Sequence, residues 1–239
     1  MLHRLSLLLL FLSLSGCATY QTPGAGAILS ELTASGAGGE AERRQPGAAF
    51  PARIALVRVQ AADYGTTNPA CHGAGRYCVM TVRTIESERD IQRLRTLPQV
   101  AGVDSLPPDR LPPSLNTVDE LRPVAGAQNA DLLLLYTLDT RFSVDQAKYD
   151  PLGVIQPGFP PNRAARVTVK TSAELVDVRS GFVYGRVEVS AWRDQNAAVW
   201  ATRTAIEDER RMTERASFGR FVDKFETLWP DVLAKYGSR

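Results

Sequence analysis

The chain has 239 residues, of which 44% are hydrophobic and 23% charged, with 28 basic against 26 acidic side chains and a formal net charge of +2. That composition is globular, which excludes disorder over the whole length, and near-neutrality excludes the broad basic field that recruits nucleic acid. The length suits one domain with at most a small appendage. Only Lys148, Lys170, Lys224 and Lys235 are lysines, and the arginines are scattered among acidic residues, a matter of genome composition rather than of phosphate recognition.

His3 and Arg4 make a short basic start, and Leu5 to Leu14 is apolar except for Ser6 and Ser13. A run of that length fits the core of a signal peptide and falls short of the roughly twenty apolar residues of a membrane span. It ends in Leu14-Ser15-Gly16-Cys17, which resembles the bacterial lipobox. The resemblance implies that residues 1–16 are removed as a lipoprotein signal peptide once the Cys17 sulfur carries diacylglycerol; the alternative is an ordinary secretory signal that happens to contain a cysteine. Each buried methylene adds about 0.8 kcal/mol, so the chains of this class, diacylglycerol and a further palmitate, make an effectively permanent membrane anchor. Ala18 stands where inner-membrane retention favours Asp, so the expected address is the outer membrane, on its periplasmic face.

Residues 17–50 are expected to be the lipidated cysteine and a flexible tether. The stretch is rich in Ala, Gly, Ser, Thr, Pro, Gln and Glu, with Tyr20, Ile28, Leu29 and Leu32 as its few bulky apolar residues before Phe50. Such a segment buries too little surface to offset its ordering entropy, and as a coil it would hold the body about 30 Å from the anchor. A short helix at Ile28 to Thr33 fits the sequence but lacks a nearby partner.

Residues 51–239 are expected to form one globular domain. Ala52 to Gln60 reads as an inner strand, with Ile54, Leu56 and Arg58 on one face and Ala55, Val57 and Val59 on the other. Turn residues follow, enclosing Cys71 and Cys78. In an oxidising compartment this pair is most simply a disulfide; the alternative is a metal site built from Cys71, His72 and Cys78, where the two adjacent ligands converge poorly. Val79 to Val82 suggests a brief extended piece. Ser87 and Asp90 mark a helix start, with Ile91, Leu94 and Leu97 as its stripe before Pro98.

Val100 to Leu106 is a second candidate strand, followed by a proline-rich connector. Thr117 and Glu120 form a capping box, with Val118, Leu121, Val124 and Ala125 as the apolar stripe behind it. Leu132 to Leu138 is short, apolar and bounded by turn residues, so it is the predicted central strand. The stretch from Asp145 to Asn162 holds four prolines and reads as an irregular loop, with Tyr149, Pro151, Ile155 and Phe159 as candidate partner-binding residues. Arg166 to Val178 and Phe182 to Trp192 alternate around Arg179-Ser180-Gly181, predicting an antiparallel hairpin whose outer face, with Lys170, Glu174, Arg186 and Glu188, is wetted. Its length would also suit a pore-lining hairpin, but covering the helices is the better use of its apolar face. Residues 202–236 predict a closing helix, solvated over Glu207 to Arg215, with a Phe218, Phe221, Val222, Phe225, Leu228 and Trp229 stripe and a kink or restart at Pro230.

No catalytic motif is legible. A Gly-x-Ser-x-Gly elbow, a Walker loop, a Gly-x-Gly-x-x-Gly turn and a His-Glu-x-x-His helix are all missing from the sequence, and His72 is the one histidine beyond the leader. Asp139, Asp145 and Asp150 are the carboxylates nearest a strand end. No catalytic residue, metal site or cofactor is therefore expected.

The fold class these elements predict is α+β, an α/β two-layer body with a mixed sheet of about five strands and an antiparallel C-terminal hairpin, packed by two or three helices. Their order on a lipid-anchored tether resembles the small α/β domain of the curli-secretion lipoprotein, of penicillin-binding-protein-activator lipoproteins and of the amino-terminal domain of the Tol-system propeller protein. The segments Asn129-Ala130-Asp131-Leu132-Leu133-Leu134-Leu135-Tyr136 and Ala173-Glu174-Leu175-Val176-Asp177-Val178-Arg179-Ser180-Gly181 are similar to the rhombotarget lipoprotein family. The resemblance implies an envelope lipoprotein without an enzymatic role, whose partners are the membrane, through the lipid, and an envelope protein. The alternatives are a subunit of an oligomeric secretion or assembly machine and, third, a hydrolase.

Overall fold

The computed structural model describes residues 19–34 and 44–237; the leader and Cys17 lie outside them. In chain order the elements are β1 (Tyr20–Gln21), α1 (Leu29–Thr33), β2 (Ala52–Ala61), β3 (Cys71–His72), β4 (Ala74–Gly75), β5 (Tyr77–Met80), α2 (Glu88–Arg95), β6 (Val100–Asp104), β7 (Ser114–Leu115), α3 (Arg122–Gly126), β8 (Leu132–Val144), β9 (Ala147–Tyr149), β10 (Val154–Ile155), β11 (Ala164–Asp177), β12 (Val183–Asn196) and α4 (Arg203–Tyr236).

The backbone of the fold is the run β12-β11-β8-β2. β11 is antiparallel to both neighbours, β8 is parallel to β2, and the first half of β2 takes β6 as a parallel partner while its last three residues take β5 antiparallel. The class is α+β with a mixed sheet, as predicted, but among the described residues the sheet has ten strands rather than about five, and a two-stranded ribbon pairs β1 with β10. The additional strands have two to four residues each, too few for alternation to register in a sequence.

Burial on both faces explains the leucine run. On β8, Leu132, Leu134, Tyr136, Leu138, Phe142 and Val144 join one core while Leu133 and Leu135 join the other; on β2, Ile54 and Leu56 part from Ala55, Val57 and Val59 in the same way. The first core is closed by α4, whose Phe218, Phe221, Val222, Phe225 and Trp229 are fully buried. Burying each such side chain contributes about 1.5–3 kcal/mol. Thr202 caps α4, accepting from the Ala205 amide at 3.1 Å, and the helix runs unbroken through Pro230 rather than restarting there. Local signals held elsewhere too: Ser87 caps α2, and Thr117 and Glu120 form their capping box on a single 3-10 turn that leads into α3.

The second core corrects the two-layer expectation and the tether. Leu29 and Leu32 of α1 pack with Leu106, Leu111, Val118, Leu121 and Ala125 over the far face of the sheet, so residues 19–34 are a strap bound along the domain. Tyr20 pairs with Ile155, the Gly26 backbone bridges to Gln60, and the Ala27 amide donates to Thr137 Oγ1 at 2.7 Å. Gly24 is needed there, since a Cβ would collide with the Tyr64 backbone. Composition misled because most of these contacts are made by the strap's backbone, which any small residue supplies.

Three further expectations differ from the structure. Glu174 is 4% exposed rather than wetted, because Thr33 of the strap covers it. Within Glu207 to Arg215, Glu209, Thr213 and Glu214 are buried rather than solvated. The Asp145 to Asn162 segment also contains β9 and β10, so it is not without regular structure.

Candidate functional site

The densest polar constellation lies where α4 crosses the strap and β2. Arg58 faces the core from β2, opposite Tyr136 of β8, and is 4% exposed. Its Nη2 donates to Tyr64 Oη at 3.0 Å, its guanidinium lies 5.4 Å from the Tyr64 ring centroid, and its Nη2 is 4.0 Å from Glu214 Oε2. Glu214 Oε1 accepts from Arg210 Nη1 at 2.7 Å and from Thr140 Oγ1 at 2.9 Å. Arg210 Nε donates to Glu207 Oε2 at 2.9 Å, and Tyr20 Oη donates to the same oxygen at 3.1 Å. Glu207, Arg210 and Glu214 recur at helical spacing on one face of α4, which is how the sequence delivers three charges to one seam.

Burial would push the Glu207 carboxyl up, but the hydrogen bond and charge of Arg210 outweigh it and hold the group below its ordinary value. Burial likewise works against the Arg58 and Arg210 cations, and nearby anions and tyrosine oxygens more than offset it, so both stay charged. The Tyr20 and Tyr136 hydroxyls are pushed up, first by burial and then by Glu207 and Glu86 respectively as the main neighbouring anions. The seam is thus two cations against two anions with neutral phenols around them. Arg58 Nε and Glu214 Oε2 remain without a hydrogen-bond partner. A cavity of about 240 Å³ borders Arg58, Arg83, Glu86 and Tyr136 where β2 passes from β6 to β5, and one of about 520 Å³ borders Tyr20, Tyr64, Arg203, Glu207 and Arg210.

A second cluster surrounds Asp177 at the opposite end of β11. Its carboxylate accepts from the amides of Gly47 (2.7 Å), Ala48 (2.8 Å), Arg179 (2.8 Å) and Ser180 (2.7 Å) and from Tyr184 Oη (2.8 Å). Burial raises the Asp177 carboxyl, and these donors more than reverse it. This arrangement ties residues 44–48 to the hairpin turn, a binding of chain to chain rather than of chain to ligand.

The residues singled out from sequence are dispersed. Cys17 lies outside the described residues. Cys71 and Cys78 are joined in a disulfide with Cα atoms 5.4 Å apart, and His72 is exposed beside them. Among the described residues no group of three or more His, Cys, Asp or Glu side chains converges on a metal-sized site. Asp139 is held by Arg141, and Asp145 by Arg163 and the Ala164 amide.

Of the proposed partner-binding residues, Ile155 is fully buried, and Tyr149 and Phe159 pack partly buried against the same core, the latter with its ring 6.3 Å from Trp200. Pro151 is half-buried; the outward apolar residue of this segment is Val154, 58% exposed. Partner binding through Ile155 is therefore ruled out by its burial. Sequence reasoning missed Tyr20, Glu207, Arg210 and Glu214. The one available signal was Arg58, a cation on the inward face of an apolar strand, which requires a buried anion somewhere.

No protein-family model matches the chain, and no curated protein matches it in sequence. Among the solved structures similar over part of it are the following two. One is a candidate lipoprotein of Caulobacter crescentus CB15, 12% identical with a TM-score of 0.28, covering 48% of this chain and 80% of that one. The other is a DUF330-family protein of Xanthomonas campestris, 9% identical with a TM-score of 0.36, covering 79% of this chain and 94% of that one.

Proposed function

We propose that the chain is an envelope lipoprotein, acylated at Cys17 and held on the periplasmic face of the outer membrane, whose body serves as a non-enzymatic binding or accessory protein. The observation that carries this is the basic start, apolar run and Leu14-Ser15-Gly16-Cys17 ending taken together. The polar groups of the body support a scaffold role, since Glu174 and Asp177 each spend their acceptor oxygens on donors from other segments. An enclosed disulfide, Cys71–Cys78, suits an oxidising compartment.

Metabolic labelling with an alkynyl palmitate tests this reading. The wild-type chain is expected to take the label and to fractionate with outer membrane, and Cys17→Ser to lose both. A wild-type chain that stays unlabelled overturns the reading. A subunit of an oligomeric machine is the second reading, favoured by one observation: β12, of 14 residues, ends the sheet order and presents an edge to a further strand. Light scattering of the acylated protein in detergent separates a ring of many copies from a monomeric adaptor.

A further inference from the structure

The strap changes what an anchor at Cys17 means. Cys17 precedes Tyr20 by three residues, a reach of at most about 10 Å in extended chain. Tyr20 itself is fixed: it is 4% exposed, pairs with Ile155, lays its ring 5.6 Å from that of Phe142 and donates its hydroxyl to Glu207. The attachment point is therefore the end of the sheet where β8 finishes and β11 begins, and the body has no leash with which to stand away from its lipid.

We infer that this end of the domain rests on the anionic phospholipid surface, an inference that depends on the acylation of Cys17 proposed above. Val154, paired with Gln21 in the β1–β10 ribbon, is 58% exposed, and Val199, next to the Trp200 that bonds to Gly158, is 50% exposed. Both are apolar side chains turned outward beside the attachment point, where they enter the interfacial layer. Arg203, exposed at the start of α4, borders the same cavity as Tyr20 and Gln21 and reaches the lipid phosphates as a charge-assisted donor. The opposite end, with Ala127 just ahead of β8, stands away from the bilayer by the length of a 13-residue strand, about 40 Å.

The test uses the acylated full-length protein in phosphatidylethanolamine–phosphatidylglycerol vesicles carrying a headgroup nitroxide lipid. A bimane fluorophore is attached to Val154→Cys or, separately, to Ala127→Cys; Cys71 and Cys78 are occupied by their disulfide. The Val154 position is expected to lose most of its emission and the Ala127 position little. A Gly/Ser linker of about twenty residues inserted between Ala18 and Thr19 is expected to restore the Val154 emission, because it supplies the missing leash. Equal quenching at both positions, with intact mass showing an acylated Cys17, overturns the resting surface alone. An intact mass without acyl chains overturns the lipoprotein reading and this inference with it.

Discussion

Thr33 donates its hydroxyl to Glu174 Oε2 at 2.7 Å, joining the last residue of α1 to the C-terminal part of β11 across 141 positions of sequence. Glu174 Oε1 meanwhile accepts from Arg186 Nε at 2.7 Å on the neighbouring strand. A carboxylate that sequence alternation assigns to water is therefore shared between the strap and the hairpin. Thr33→Val keeps the shape and removes the donor, leaving a buried carboxylate oxygen unsatisfied. The expected cost is about 1–3 kcal/mol, read as a lower urea midpoint with an unchanged slope. A midpoint equal to wild type means that water replaces the hydroxyl and that the strap lies more loosely than the geometry states.

Gly24 tests the strap by shape rather than by hydrogen bonding. Its missing Cβ would meet the backbone nitrogen and Cα of Tyr64, atoms that have no rotamer by which to move aside. Gly24→Ala is expected to lift residues 19–26 off the domain at a cost of about 1–3 kcal/mol. Limited proteolysis reads it directly: the variant loses its first residues faster than wild type while the disulfide-bonded body persists.

What the sequence disclosed and what it hid divide along the range of the interactions. Ser87, Thr117 and Glu120 act within four residues of themselves, and the 166–192 hairpin shows its period over two long strands around Gly181, whose φ of 75° fits the tight turn. Those elements were legible. The strap was not, because Gly24, Gly26 and Ala27 contribute close approach and main-chain bonds to Tyr64, Gln60 and Thr137, which no composition rule detects. The charged seam was half legible: Arg58 announced a buried cation, but its counter-ion sits on the last helix, within a run whose many charges read as solvated.

Glu214 is the residue on which that seam turns, since it meets Arg58, Arg210 and Thr140 at 1% side-chain exposure. Glu214→Gln leaves the buried Arg58 without its ion-pair partner and Arg210 with Glu207 alone, and is expected to cost about 3–5 kcal/mol, the range for an uncompensated buried charge. Arg58→Met together with Glu214→Leu removes the poorly made 4.0 Å contact and both unsatisfied atoms at once, and is expected to recover much of that loss. Thermal unfolding of the single and double variants checks it. A double variant less stable than Glu214→Gln would show that the pair contributes more than apolar packing can replace.

Asp177 sets the response to acid. Its folded carboxyl lies below the ordinary 3.8 because burial, which raises it, is outweighed by amides of Ser180, Gly47, Ala48 and Arg179 and the hydroxyl of Tyr184. A group depressed on folding lends stability that is fully present above its unfolded value and is lost as pH falls through the folded one. Between pH 7 and about 5 this residue should therefore make no difference to the slope of stability with pH, and from about 4 downward wild type should weaken steeply. Asp177→Asn substitutes a donor for one acceptor oxygen facing backbone amides, so it is expected to cost about 2–3 kcal/mol at neutral pH and to flatten the acid limb. Urea midpoints measured across that range check both parts. If the variant loses stability at neutral pH but keeps the full acid slope, other carboxylates govern acid unfolding, and the Asp177 cage acts only as the clasp that holds residues 44–48 against the hairpin turn.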